Sequence, residues 1–239
     1  KLDLPRPQQQ LIKEIAALGK PVILVLLNGS ALAINWEHAN VPAILEAWYP
    51  GQAGGQAIAD VLFGDYNPGG RLPVTFYRSV NDLPSFKEYD LSNQTYRYFK
   101  GQPLYSFGHG LSYTTFEYNA LDIQNSFKTG DSVKLSVTIK NTGALRGDEV
   151  VQVYVKDLNP KAKGPLRSLA AFQRVTIDPG QSKKVSLTLF PDAFATYDQN
   201  GAKKILPAKF EIAVGGCQPD DHSSRKLSIG LVRAVEIVL

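Results

Sequence analysis

The feature that most constrains this chain is a change in the spacing of its apolar residues near Phe116. Before that point, the continuous apolar run at 22–27 is typical of a strand buried on both faces of a parallel sheet. Beyond it, apolar residues at 133–139 alternate with polar ones, which is typical of a strand with one buried face. These two patterns predict an α/β part followed by an all-β part.

The α/β part, which we assign to residues 1–75, contains signals for both helices and strands. Apolar residues at helical spacing predict helices at 6–18 and 52–63, each followed by a glycine. Strands are predicted at 22–27 and 41–48, joined by a short helical crossover at 31–40. Two parallel strands do not form a stable sheet alone. We therefore expect a partial parallel sheet with exposed apolar surface.

Residues 76–115 are rich in Pro, Gly and aromatic residues and are interpreted as an ordered connector, because disordered linkers are poor in aromatics. Residues 116–239 predict an immunoglobulin-like sandwich of about seven strands, with turns such as Asp178-Pro179-Gly180 and a last strand at 226–238. The positions predicted to face its core are Val133, Leu135, Val137, Val151, Val153, Phe172, Val185, Leu187, Phe210 and Ile212.

Two short motifs follow the predicted parallel strands and suggest a binding site. Asn28 begins the first, Asn-Gly-Ser, and Gln52 ends the second, Tyr-Pro-Gly-Gln. Ligands of open α/β sheets bind at the carboxyl ends of the strands, so Asn28 and Gln52 are candidate substrate-binding residues. Tight turns explain the same glycines by backbone geometry alone, and we favour that interpretation.

Several other classes of site are excluded by composition and spacing. The only cysteine, Cys217, has no cluster of His or Cys around it in the sequence, which predicts no metal site and no cofactor. The 26 basic and 22 acidic residues are spread along the chain, without a basic block that would bind nucleic acid. The longest apolar run, at 21–27, is far shorter than the roughly 20 residues of a membrane span.

General acid–base catalysis by carboxyl groups requires a pair of them, and the acidic residues of the first 90 positions are scattered. Most of these side chains are expected to be solvated surface charges, so no catalytic residue is assigned. The candidates considered are Glu37, Glu46, Asp60, Asp65, Asp82, Glu88 and Asp90.

Five longer strings carry a resemblance to a known family. They are PVILVLLNG at 21–29, AWYPGQAGG at 47–55, VLFGDYNPGGRLP at 61–73, TYRYF at 95–99 and LYSFGHGLSYT at 104–114. In this order and spacing they resemble the C-terminal half of glycoside hydrolase family 3, above all its β-xylosidase and β-glucosidase members. The resemblance extends over essentially the whole chain.

The resemblance implies that residues 1–75 are the end of an α/β sandwich domain and that residues 116–239 are a fibronectin type III-like domain. In that family an N-terminal barrel supplies an aspartate nucleophile and the α/β domain supplies a glutamate acid/base. The family pattern places this glutamate just upstream of Lys1 and the aspartate far upstream. Glu14, Glu37 and Glu46 therefore inherit neither role, and the chain is expected to be inactive alone.

The chain contains no methionine, so we expect it to be a trimmed or excerpted product. Its expected partners are the remaining N-terminal domains of the same enzyme or a second copy of the chain, and the whole enzyme is expected to bind a β-linked oligosaccharide. The resemblance suggests a secreted or periplasmic protein. The alternative is a free-standing carbohydrate-binding or adhesion module, because a sandwich fold does not determine a function.

Overall fold

The computed structural model of the chain describes residues 1–89, 91–160, 164–197, 200–219 and 231–238. It contains an α/β part, a connector and a β-sandwich in the order that the sequence predicts. No helix in the described part of the chain is long and apolar enough to span a membrane.

The α/β part follows the predicted order of elements. It consists of α1 (Arg6–Ala17), β1 (Ile23–Leu26), α2 (Asn35–Asn40), β2 (Ala43–Glu46) and α3 (Gly54–Phe63). β1 and β2 pair in parallel. The crossover helix is shorter than predicted, because it begins four residues later than residue 31.

The expectation that the first strand is buried on both faces is wrong. Leu26 is buried, whereas Ile23 is 52% exposed and Leu27 just after the strand is 59% exposed. The reason is that Leu24 and Leu26 face the small apolar cluster, whereas Ile23 lies on the opposite face of β1, which the described residues leave exposed. The exposed apolar surface expected of a partial sheet is present.

The connector folds back on the α/β part. It contains the helical turn α4 (Thr95–Tyr98) and a bridge in which the Phe76 N–H donates to Tyr105 O at 2.9 Å. Phe76 is 1% exposed and packs in a small apolar cluster with Leu26 and Ile34. The aromatic residues of this segment therefore fill a core, as expected for an ordered connector.

The sandwich is formed by two main sheets. One has the strand order β4-β12-β11-β6-β7 and the other has the order β3-β5-β8. All pairs are antiparallel except β12 with β4. The strands are β3 (Phe116–Ile123), β4 (Ser126–Lys128), β5 (Val133–Asn141), β6 (Gly147–Asp157), β7 (Ser168–Ile177), β8 (Ser182–Leu189), the short pair β9 (Thr196–Tyr197) and β10 (Lys203–Lys204), β11 (Ala208–Gly215) and β12 (Leu231–Val238). Positions 226–230 of the predicted last strand lie outside the described residues.

The predicted core of the sandwich is confirmed at every position but one. Val133, Val137 and Ile212, for example, have no exposed surface, and Leu187 packs at the margin of the core. The prediction is wrong for Phe172, which is 67% exposed. Val175 and Ile177 are the buried residues of β7, and side chains of a strand alternate between its faces, so Phe172 points to the opposite face.

The sandwich is fastened to the preceding residues by a buried ion pair. Arg71 Nη2 donates to Glu149 Oε1 at 2.9 Å, and the two side chains are 9% and 1% exposed. Arg71 also donates to the carbonyl oxygens of Gly70 at 3.1 Å and Gly216 at 3.3 Å. Burial raises the pKa of Glu149, and the positive charge of Arg71 acts in the opposite direction.

A second set of buried bonds lies beside this pair. Gln152 Nε2 donates to Gly216 O at 2.7 Å and to Gly108 O at 3.3 Å, while its Oε1 accepts from the Tyr154 hydroxyl at 2.6 Å. Gly108 has φ of 78°, and a Cβ there would lie 2.2 Å from Gln152 Oε1. Only glycine satisfies both the backbone conformation and the close approach.

Replacement of Arg71 by Met tests the buried pair. Removing one partner leaves the Glu149 carboxylate buried without a cation, which costs roughly 3–5 kcal/mol. We expect Arg71→Met to lower the free energy of unfolding by about this amount in urea titrations followed by circular dichroism.

The exposed pair Arg146–Asp178, with side chains 72% and 66% exposed, supplies the control. Arg146→Met should change the free energy of unfolding by less than about 1 kcal/mol. In the double variant Arg71→Met/Glu149→Met both charges are removed, so its loss should be smaller than the sum of the two single losses. If the losses of unfolding free energy in the two single variants add up to the loss in the double variant, Arg71 and Glu149 do not stabilise each other as a buried pair.

Candidate functional site

The residues at the carboxyl ends of β1 and β2 form a hydrogen-bonded group that we call the strand-edge site, defined by Asn28, Glu46, Trp48 and Tyr49. Asn28 Nδ2 donates to Ser30 O at 2.7 Å and to Glu46 Oε2 at 3.2 Å. The Trp48 N–H donates to the other carboxylate oxygen, Glu46 Oε1, at 3.1 Å. Glu46 thus links the two strand ends, which the sequence alone did not indicate.

Glu46 departs from our expectation of a solvated surface charge, because its side chain is half-buried. Burial raises the pKa of Glu46, and the hydrogen bonds from Trp48 and Asn28 oppose that rise. Glu37 departs further, since it is 1% exposed and its Oε1 has no hydrogen-bond partner within the described residues. The sequence carries a signal for the partial burial of Glu46, which stands between apolar residues at the end of a strand, but none for its contacts with Asn28 and Trp48.

The backbone after Glu46 is strained. Trp48 has φ of 53°, which is uncommon for a residue other than glycine. This conformation directs the Trp48 ring toward Phe76, with the ring centroids 6.1 Å apart, while Tyr49 remains 78% exposed. Gly29 faces the Tyr49 ring so closely that a Cβ would lie 2.6 Å from it. The hydrogen bond from Trp48 to Glu46 stabilises this strained turn.

The structure separates the two candidate binding residues. Asn28 belongs to the strand-edge site, and its buried Oδ1 has no hydrogen-bond partner within the described residues. Gln52 is exposed in the turn before α3, and its side chain makes no hydrogen bond to Asn28 in the described part of the chain. Asn28 therefore remains the better placed of the two as a binding candidate.

The chemistry available at the strand-edge site is limited. Both oxygens of its carboxyl group, Glu46, are occupied by donors from the same chain. Retaining and inverting glycoside hydrolysis both require two carboxyl groups about 5–9.5 Å apart. Among the residues that the structure describes, no group of His, Cys, Asp and Glu side chains could hold a metal ion. Asp90, one of the acidic residues considered, lies outside that part of the chain.

An apolar surface lies on α1 and β1. Leu11 and Leu18 are 57% and 72% exposed, although Ile12 packs against the small apolar cluster. No residue of α1 is buried. Ile15, at 40% exposure, lies on the same stripe as Leu11 and Leu18.

Comparison with known proteins covers both parts of the chain. Residues 1–113 match the glycosyl hydrolase family 3 C-terminal domain, and residues 149–218 match the fibronectin type III-like domain. A xylan 1,4-beta-xylosidase of Xylanibacter ruminicola is 40% identical over 96% of this chain and 26% of its own length. A periplasmic beta-glucosidase of Salmonella typhimurium is 38% identical over 90% of this chain and 30% of its own length.

Solved structures are also similar. The structure of a β-glucosidase from Erythrobacter marinus has a TM-score of 0.85 at 35% identity, and the match covers 99% of this chain and 31% of that one. The chain therefore spans between about a quarter and a third of the length of these relatives, at 26% to 31%.

Glu46→Gln tests the electrostatics of the strand-edge site. Because burial raises the pKa of Glu46 above 4.5, the folded chain holds this proton more tightly than the unfolded chain. The stability contributed by the group therefore falls as pH rises from 4.5 through the folded pKa. Glutamine does not titrate, so the unmodified chain should lose stability relative to the variant between about pH 4 and about pH 8.

Urea unfolding at both pH values measures this difference. Glu117→Gln, at an exposed position of β3, is the control and should follow the unmodified chain. The free energies of unfolding of the unmodified chain and of Glu46→Gln could instead differ by a constant amount, or the difference could change in favour of the unmodified chain as pH rises. Either result would show that burial does not govern the pKa of this carboxyl group.

Proposed function

This chain is built from a glycosyl hydrolase family 3 C-terminal domain and a fibronectin type III-like domain, and we propose that it is the C-terminal structural portion of a retaining β-glycosidase. The observation that carries the proposal is the unequal coverage in one match. The match includes 96% of this chain but only 26% of a xylan 1,4-beta-xylosidase. On this proposal the substrate of the whole enzyme is a β-xyloside or β-glucoside, as the names of the relatives suggest.

The mechanism we propose for the whole enzyme uses two carboxyl groups. An aspartate attacks the anomeric carbon and forms a covalent glycosyl intermediate, and a glutamate protonates the leaving oxygen and then activates water. We assign both groups to domains outside this chain. The engagement of Glu46 by Trp48 and Asn28 supports that assignment, because this carboxyl group holds a turn rather than an open cleft.

The contribution of the chain is to support the catalytic domains. The strand-edge site holds the strained turn at Trp48, and the Arg71–Glu149 pair holds the sandwich against the α/β part. We propose that the exposed stripe of α1, with Leu11 and Leu18, contacts the N-terminal domains of the same enzyme. A secreted or periplasmic location is proposed from the periplasmic relative.

An activity assay tests whether the catalytic carboxyl groups lie outside this chain. We expect the purified chain to show no hydrolysis of aryl β-xylosides or aryl β-glucosides above background, because the retaining pair lies outside it. A full-length relative assayed in parallel is the positive control. Turnover by the chain that is abolished in Glu46→Gln or in Glu37→Gln would place a catalytic carboxyl group within it and contradict the proposal.

Light scattering tests the role of the exposed stripe. In the absence of the N-terminal domains, the apolar surface of α1 should drive self-association, and Leu11→Glu or Leu18→Glu should reduce it. Leu145→Glu is a matched control, because Leu145 is 51% exposed in the sandwich. If the chain is monomeric at high concentration and shows slow hydrogen exchange throughout β1, the apolar surface of the α/β part does not require a partner.

A further inference from the structure

A cavity of about 230 Å³ lies between the connector and the sandwich. Thr75, Tyr96, Phe99 and Lys100 line one side of it, and Lys156 and Arg167 from the sandwich line the other. No residue of the strand-edge site lines this cavity. It is therefore a separate place in the molecule, and a ligand bound in it would not depend on the proposed function.

The charged residues that line the cavity, among those described, are all basic. Lys100, Lys156 and Arg167 line it, and none of the described residues in its lining is Asp or Glu. The residue opposite Lys156 on the neighbouring strand is Glu211, but no salt bridge joins the two within the described chain. Arg167 is 6% exposed and its positive charge acts on the nearby Tyr154 hydroxyl. Lys100 and Lys156 place two positive charges at a partly enclosed space, which favours an anionic ligand.

An unsatisfied hydroxyl group also faces this region. Thr75 is 6% exposed, and its Oγ1 has no hydrogen-bond partner within the described residues. Buried hydroxyl groups are almost always hydrogen-bonded in folded proteins. Because Thr75 lines the cavity, a polar group of a ligand placed there would satisfy its Oγ1.

The aromatic side of the cavity is held rigidly. The Tyr96 ring stacks on Phe107 with centroids 4.2 Å apart, and the Phe99 ring packs edge-on against Tyr77 at 4.9 Å. The Leu169 N–H donates to the Tyr96 hydroxyl at 3.1 Å, which ties this wall to the sandwich. Such rings present apolar surface to a ligand in a fixed position.

We propose that this cavity binds one negatively charged sugar unit, that is, a single sugar ring bearing a carboxylate or a phosphate. The anionic group would contact Lys100 and Lys156, a ring hydroxyl would bond Thr75 Oγ1, and the apolar face of the ring would contact Tyr96 or Phe99. The volume is below the roughly 300–1,000 Å³ of sites for drug-sized ligands, which suits one ring rather than a chain of sugars.

Isothermal titration of the full chain with glucuronate, glucose 6-phosphate, glucose and sulfate tests this proposal. At low ionic strength we expect glucuronate or glucose 6-phosphate to bind at least about tenfold more tightly than glucose and sulfate. Whichever of the two binds more tightly identifies the anionic group as carboxylate or phosphate. Its binding should weaken as salt is added.

Two variants locate the ligand. Lys156→Gln and Thr75→Val should each weaken the binding of the charged sugar about tenfold, and Lys183→Gln, on the exposed surface of β8, should leave it unchanged. Thr75→Val should keep the melting temperature of the free chain, because the hydroxyl has no hydrogen bond to any of the described residues.

Absence of binding by both charged sugars would overturn the proposal. Sulfate binding as tight as that of the sugars, unaffected by Thr75→Val, would reduce the cavity to a site for an adventitious ion only. Equal binding of glucose would show that the lysines play no part. A Thr75→Val chain that melts at a lower temperature yet binds normally would make the hydroxyl structural, and would also overturn the assignment.

Discussion

The buried pair of Arg71 and Glu149 is the interaction on which the arrangement of this chain depends. The two residues are 78 positions apart in sequence, and their contact sets the α/β part and the connector against one face of the sandwich. Because a buried charge is costly without its partner, each residue restricts the other to a single geometry. The neighbouring bonds of Gln152 to Gly108 and Gly216 follow from the same approach, which leaves no room for a side chain at Gly108.

The cavity between connector and sandwich is a further consequence of this docking. The connector contacts the sandwich at several places, among them the bond from Gln152 Nε2 to Gly108 O at 3.3 Å and the bond in which the Leu166 N–H donates to Arg97 O at 2.6 Å. Leu166 also lines the cavity, together with Thr75, Lys100 and Lys156. On our proposal, a bound anion compensates Lys100 and Lys156 and satisfies Thr75 Oγ1, which has no hydrogen-bond partner among the described residues.

Local patterns in the sequence were sufficient for most of the fold. The period of two at 133–139 and the apolar run at 22–27 predicted the sandwich and the parallel pair, because each reports burial on the faces of one strand. The same reasoning failed at Phe172, where a strong apolar residue lies on the wrong face of its strand. It also failed at Glu46, whose environment is set by Asn28 and Trp48 rather than by periodicity. The Arg71–Glu149 pair could not be predicted from local patterns, since no local pattern encodes a contact between distant segments.

The unequal size of the two cores explains how the parts depend on each other. Among the described residues, the core of the sandwich contains 20 buried residues, whereas the cluster beneath β1 contains five. Burial of apolar surface is the dominant stabilising term, so we expect the sandwich to contribute more to the stability of the chain than the α/β part does. Within that small cluster, Phe76 and Leu104 come from the connector, which Arg71 and Gln152 in turn hold to the sandwich. The sandwich therefore acts as the anchor from which the connector completes the α/β core, and the surface of α1 that this core does not cover is the part left to contact a partner.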